Sequence, residues 1–409
     1  MPAPTSKGVR AVASGQGWFA PVPAYRLATL RVALAVTSLV FHVPKFNGLI
    51  DSYLASSFHV SPALPWIPPP TPLSGAALMA LQQVAAWGLL FGVAPRVSAW
   101  FLAVAGFWVM SLDPEHYAHN AQFHLTLLAL IGCSSDGLTL SRLLRADDAS
   151  ARCPAWPEHL IRIQLCIVFF YAALDKVFSP FWRVSGGLIG AVAVTEHAPG
   201  VAWLQRLNQA VIRASPGTMS VVTTILEGFL AVAFVHRSLW RAAVAAAFLF
   251  AAYLEFLLRP GVFAWDTVAA LVMFAPAGDR GWTVLHDQGC ASCRRTRTIL
   301  APLDWLRRLR WMPIPAGHTL GVPHRGLRLI SPRGRCYAGL EAIGVVPLVL
   351  PGPVFVAMAT TRFAGGFLAG RGYGPWYDLT FVVLGLWLLL WVPRVVRFVG
   401  RSRVTTARP

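Results

Sequence analysis

Charge is what this sequence has least of. Charged residues make up 13% of the 409-residue chain and acidic ones number only 17, against a charged share of roughly 25% in an ordinary soluble domain. A water-soluble enzyme of usual composition is excluded. Cysteine is scarce as well, at six: Cys133 and Cys166 fall within apolar stretches, Cys153 and Cys336 stand alone, and Cys290 and Cys293 form a Cys-x-x-Cys. That distribution excludes an extracellular disulfide framework and leaves one redox-active or metal-binding pair. Residues 1–25 lack the apolar core of a cleavable signal peptide, so the first hydrophobic segment is expected to stay as a helix. No repeat of roughly 20–50 residues, phosphate loop, Ser/His/Asp arrangement or transporter-like inverted repeat is evident along the chain.

Apolar residues, by contrast, reach 56%, and the mean hydropathy is +0.57. Eight apolar segments are read as helices: 26–43, 73–93, 97–112, 116–133, 159–178, 219–235, 242–258 and 262–276. Most are long enough to cross a hydrocarbon layer of roughly 30 Å. Proline and glycine gather between them, as in the stretch 62–72, which no helix accommodates. A ninth apolar stretch, 379–392, precedes Arg394, Arg397, Arg401 and Arg403. The expected fold is an all-α polytopic membrane bundle of about eight transmembrane helices, nine if that stretch crosses.

The formal charge is +18, yet no nucleic-acid motif accompanies it, and nucleic acid is not an expected partner. The basic residues crowd the loops instead. With the N-terminus cytoplasmic, inner segments hold Lys7, Arg10, Arg26, Arg96, Arg142, Arg145, Arg152, Arg237 and Arg241; outer ones hold Lys45, Arg183, Arg206, Arg213 and Arg259. The excess inside favours that orientation. Eight crossings then return the chain to the cytoplasm near residue 277, where the apolar pattern stops. Three units follow: a membrane domain 1–277, a soluble domain 278–376, and an apolar helix with a basic tail 377–409.

In the soluble unit, residues 282–285 read as a strand, and Cys290-Ala-Ser-Cys293 opens a basic, apolar-patterned stretch. A thiol at a helix start is reactive because free N–H groups and the dipole favour a thiolate, and Arg294, Arg295 and Arg297 add positive charge. Cys290 is then the attacking sulfur and Cys293 the resolving one. Half a zinc site is the alternative; no second ligand pair at knuckle spacing follows, so no metal is expected. The string Asp287, Cys290, Cys293 resembles the signature of the DCC family of thioredoxin-like thiol-disulfide oxidoreductases. The segment 327–340 is similar to that family's strand, turn and second strand, with Tyr337, Gly339 and Ala342 at the helix start beyond it. His286-Asp287-Gln288 stands where the family has Tyr-Asp-Gly, and Pro323 is a candidate cis-proline. The resemblance implies an α/β thioredoxin-like fold, a dithiol active site and a protein redox partner.

In the membrane unit each ionisable residue is a functional suspect, because burying it in lipid is costly. Arg31, Glu227, Glu255 and Asp266 are such residues, and any of them could pair with Lys176 or Arg31 across the bundle in a structural role. The densest group is 171–187, with Tyr171, Asp175, Lys176, Trp182 and paired glycines. Its simplest reading is an interfacial anchor: Lys176 snorkels and Trp182 sits in the aromatic belt. The same string resembles the helix-end motif of the horizontally transferred transmembrane (HTTM) domain, shared with vitamin K-dependent gamma-carboxylase. Lys176 matches that family's essential lysine, with Trp182 and Gly186 after it; Asp175 departs, standing where carboxylases have a basic residue, and is a candidate partner for Lys176. Residues 224–227, ending in Glu227, and 261–274 resemble two further helices of the domain. His116, His119, Asn120 and His124 lie on one helical face. They are read as interior polar groups, as substrate-site residues or as a loose metal set, and the family places an Asn-His pair near this helix start.

What the resemblance implies is a membrane enzyme in which a reduced quinone of the vitamin K or menaquinone type reacts at Lys176. The resulting strong base takes a proton from a substrate carbon, and the dithiol recycles the oxidised quinone. Tyr171, Asp175, Trp182, Glu227 and the histidine group are candidates for the quinone or substrate site. The alternative is a membrane scaffold or transporter carrying an independent thiol-disulfide oxidoreductase. Both place the protein in the cell membrane with the Cys-x-x-Cys unit cytoplasmic.

Overall fold

The structure, a computed structural model, describes residues 16–55, 68–112, 119–134, 138–140, 151–180, 182, 210, 214–254, 262–274, 282–286, 291–301, 304, 309–314, 328–331 and 336–338. Among these, eight long helices come first: α1 Tyr25–Ala55, α2 Pro72–Phe91, α3 Pro95–Leu112, α4 His119–Cys133, α5 Trp156–Phe178, α6 Pro216–Ala233, α7 Trp240–Tyr253 and α8 Val262–Leu271. They fall on the eight apolar segments of the sequence. One boundary differs. α1 runs on to Ala55 rather than ending at Val43, because the turn Ser38–His42 is π-helical and Val43 donates its N–H to the Ser38 carbonyl. Pro44 has no N–H to place in an α-helical ladder, and the widened turn before it lets the helix pass the proline without breaking.

α1, α2 and α3 are long and apolar enough to cross a membrane by length and composition. Shorter apolar stretches occupy α4, α6, α7 and the end of α8: Ala121–Cys133, Gly217–Ala233, Trp240–Ala251 and Phe263–Phe274. α1 forms the axis of the bundle: 78% of its most apolar window is buried, against 28% for α2. A helix apolar on every side belongs in the interior, and α1 packs against α2, α4 and α8. The outer helices turn large apolar side chains outward: Leu81, Val84 and Trp87 on α2, Ile163, Ile167 and Phe170 on α5, Val221, Val222 and Ile225 on α6. Such a surface suits lipid, not water.

Local chemistry sets the helix ends. Thr71 and Ser74 form a capping box before Pro72, and Gly92 ends α2 in the left-handed region at φ 75°, where a β-carbon is costly. Arg31, buried in α1, donates to the Leu89 and Leu90 carbonyls at that end and to Leu138 O at 2.6 Å. A cation there meets the negative pole of α2. At the start of α5, Glu158 accepts from Arg26 at 2.6 Å and from Arg162 at 3.3 Å, while Arg162 Nε reaches Met273 O at 2.9 Å. A two-stranded antiparallel ribbon, β1 Pro21–Pro23 with β2 Arg152–Pro154, fastens the same corner.

After the bundle, β3 Trp282–His286, helix α9 Ala291–Leu300 and β4 Leu309–Pro313 follow, then β5 Arg328–Ile330 and β6 Cys336–Ala338. The strands lie in the order β4-β3-β5-β6. β3 and β4 are parallel, joined through α9, while β5 runs antiparallel to β3 and β6 antiparallel to β5. β3 is the strand expected at 282–285, and β5 with β6 is the hairpin expected within 327–340. Glu255, Pro323, Gly339, Ala342 and the apolar stretch 379–392 lie outside the described residues.

Candidate functional site

The site that the sequence points to lies where the last turn of α5 meets α6. Lys176 is on the last turn of α5, and its ammonium crosses to Glu227 of α6, with Nζ 2.9 Å from Oε1 and 2.7 Å from Oε2. The two side chains keep 12% and 5% of their surface. A further hydrogen bond runs from Nζ to Ala172 O, one turn back, at 3.3 Å. Nζ also stands 4.8 Å from the centre of the Trp182 ring, within cation–π range. Trp182 is held in turn by its carbonyl, which accepts from Ser220 Oγ of α6 at 3.0 Å. Two separate stretches of the sequence, 176–182 and the one that carries Glu227, thus meet around one nitrogen.

Asp175 is not its partner. Neighbours along a helix point about 100° apart, so Lys176 turns inward to Glu227 and Asp175 stays exposed. Tyr171 also faces out, at 62% exposure, its ring edge-on to Phe170. The structure therefore brings together Lys176, Trp182 and Glu227 and leaves Tyr171 and Asp175 apart from them.

The histidine group divides as well. His116 lies outside the described residues, and His119 and Asn120 occupy the first two positions of α4. His124 is fully buried. Its Nε2 is 3.0 Å from Ser38 Oγ and its Nδ1 is 2.8 Å from Asp266 Oδ1, while the His42 ring stacks on it at 3.7 Å between centroids. Sequence reasoning found no Ser/His/Asp arrangement, and here one stands. Its members are 86 and 142 residues from His124, a distance that no motif spans. Ser38 and His42, four apart on an apolar helix, were the one local signal.

The matching family model covers residues 19–278 and is that of the HTTM domain. The chain belongs to the HTTM domain family. The HTTM match spans all eight long helices, α1 to α8, and contains Lys176, Trp182 and Glu227. The family is linked to vitamin K-dependent carboxylase-like membrane proteins. No curated protein and no solved structure matches the chain.

In the Cys-x-x-Cys unit, α9 begins at Ala291, the residue after Cys290. Cys293 is buried, at 2% exposure, and Cys336 of β6 is exposed. Asp287 and Cys290 lie outside the described residues.

Proposed function

We propose that this HTTM protein is a multi-pass membrane enzyme of the vitamin K-dependent carboxylase-like kind, with Lys176 at a quinone site and a thioredoxin-like dithiol unit on the cytoplasmic side. The observation that carries the reading is the meeting of Lys176 with Glu227 and Trp182. An interfacial anchor would send its ammonium to water, whereas this one turns inward onto a buried carboxylate and an indole face. An ammonium has three N–H donors. Glu227 and Ala172 O take two, which leaves a third for a quinone oxygen, with Trp182 as a flat apolar wall.

A reduced quinone supplies the reducing power and, with oxygen, the strong base that takes a proton from carbon. The chain's own part is proton handling. In the resting pair Lys176 carries the proton. Transfer from Nζ to a Glu227 oxygen leaves a neutral amine and a neutral acid, a state that a low-dielectric setting tolerates because both charges vanish together. The amine would then accept a proton from a bound hydroxyl and become an ammonium again, so that Glu227 ends with the proton and the hydroxyl oxygen is left as an anion beside the ammonium.

For the soluble unit, the strand order with a parallel βαβ start and an antiparallel hairpin supports a thioredoxin-like fold. Cys290 would attack a partner's disulfide sulfur, and Cys293, buried one helical turn on, would close the intramolecular disulfide and release the reduced partner. The loop charges favour eight crossings with the N-terminus inside.

Organic extraction of the purified, detergent-solubilised protein tests the quinone reading. Close to one quinone per chain, lost on Trp182→Ala, is expected; a wild-type protein that neither retains quinone nor takes it up from micelles points to the scaffold or transporter alternative.

A further inference from the structure

A second group of polar side chains lies in the core of the bundle, and the Lys176 reading does not use it. His42 comes from the π-helical turn of α1, His124 from α4 and Asp266 from α8. All three are at most 2% exposed. One ligand atom from each lies within 4.8 Å of those of the other two.

Hydrogen bonding within the protein leaves this group incomplete. Both ring nitrogens of His42 are buried without a hydrogen-bond partner, and so is Oδ2 of Asp266. Buried polar atoms are paired in the great majority of cases, and leaving one bare costs about 1–3 kcal/mol. Bare polar atoms on two side chains from different helices, each offering a ligand atom within 4.8 Å of the other's, mark a place where something else supplies the bonds. The turn that carries His42 and Ser38 is π-helical, a rare geometry that occurs mostly at functional sites.

We propose that His42, His124 and Asp266 bind a divalent transition-metal ion, of the zinc or iron(II) type, inside the bundle. Two imidazoles and one carboxylate are a borderline donor set that suits such ions and leaves coordination positions open. Metal–ligand distances of about 2.0–2.2 Å put donors about 3–3.5 Å apart, so side-chain rotation closes the present spread. The surroundings fit the same assignment. With the ion on His124 Nδ1, Nε2 must carry the ring proton, and Ser38 Oγ at 3.0 Å accepts it. A ligating histidine is ordinarily oriented by such a bond from its other nitrogen. The competing reading takes Ser38, His124 and Asp266 as a nucleophilic relay. Ser38 is 1% exposed, which gives an acyl group no approach, and the relay uses neither His42 nitrogen, whereas an ion takes one.

The expectation of no metal rests on the lack of a second ligand pair beside the Cys-x-x-Cys; His42, His124 and Asp266 are scattered along the chain and form no motif. The test is metal analysis of the full chain purified in detergent without chelator, then stripped and reloaded with Zn²⁺ or Co²⁺ alone. Cys290→Ser/Cys293→Ser serves as background, so that a thiolate-bound ion is not counted. About one ion per chain is expected in that background, with visible Co²⁺ bands of a low-coordinate nitrogen and oxygen site. His42→Ala and Asp266→Asn should lose the ion, and Ser38→Ala should weaken binding about 10–100-fold. Lys176→Arg should keep it, which separates this site from the quinone site. The Co²⁺ spectrum of the background protein needs no substitution in the core, so it decides even if the core variants fail to fold. A background protein without stoichiometric metal after reloading, a Co²⁺ spectrum like that of the aqueous ion, or labelling of Ser38 by a fluorophosphonate overturns the proposal.

Discussion

Removing both members of the Lys176–Glu227 pair should cost well under the sum of removing each alone. The ammonium lies 2.7 Å from Oε2, and the side chains are only 12% and 5% exposed. Cutting one partner from a buried pair strands the other, at about 3–5 kcal/mol. Lys176→Met strands a carboxylate with little water access and should cost about 3 kcal/mol. Glu227→Gln leaves the ammonium with the Trp182 face and the Ala172 carbonyl, so about 2 kcal/mol is expected. In Lys176→Met/Glu227→Gln no charge is stranded, and the loss should stay at about 2–3 kcal/mol against about 5 kcal/mol for the two singles summed, a coupling of about 2–3 kcal/mol. Unfolding in mixed micelles, titrated with SDS and followed by circular dichroism, measures all four proteins. Additivity to within about 0.5 kcal/mol would refute the buried pair and return Lys176 to the role of an interfacial anchor.

Four further outcomes follow from particular contacts. A β-carbon on Gly106 would stand 2.5 Å from Leu125 Cδ2 and 2.8 Å from Phe46 Cε2, so Gly106→Val should destabilise the bundle by about 1–3 kcal/mol. Gly48 has nothing within 4 Å of that position, and Gly48→Ala in the same unfolding assay should be neutral or stabilising by up to about 1 kcal/mol. Iodoacetamide should label Cys290 at a pH well below the ordinary thiol value of about 8.5, with Cys293 slow because it is buried and the exposed Cys336 slower than Cys290; equal rates for Cys290 and Cys336 would remove the reactive-thiolate assignment. Cysteines introduced near Arg145 and Asp279 should react with an impermeant maleimide only after the inner face is opened, and one near Pro70 in intact cells; labelling near Arg145 in sealed cells would reverse the orientation.

The helices were legible because each segment is an apolar run bounded by proline and glycine; each carries a helix among the described residues, and α1, α2 and α3 are long and apolar enough to cross a membrane. The end of α1 was not, since Pro44 reads as a stop and the π turn that carries the chain past it leaves no mark in composition. Lys176 and Trp182 stood out as a local string. Their partner Glu227, 51 residues away, was one of several buried charges that could pair with Lys176 and part of a segment resembling an HTTM helix, but nothing local chose it, and adjacency pointed to Asp175 as well. Adjacency misled because a helix turns consecutive residues to different sides. The His42, His124 and Asp266 group was beyond reach for the same reason at longer range: the three stand on three different helices, His124 read with its own helix neighbours, and packing alone brings them together.

Quinone turnover by Lys176→Arg in purified, detergent-solubilised protein bears on the account most directly. Arginine keeps the charge and is able to pair with Glu227, so insertion and stability should be preserved, but a guanidinium does not give up its proton near neutral pH. The account predicts normal amounts of folded protein with turnover lost. Full turnover in Lys176→Arg would contradict it and take Lys176 out of the chemistry.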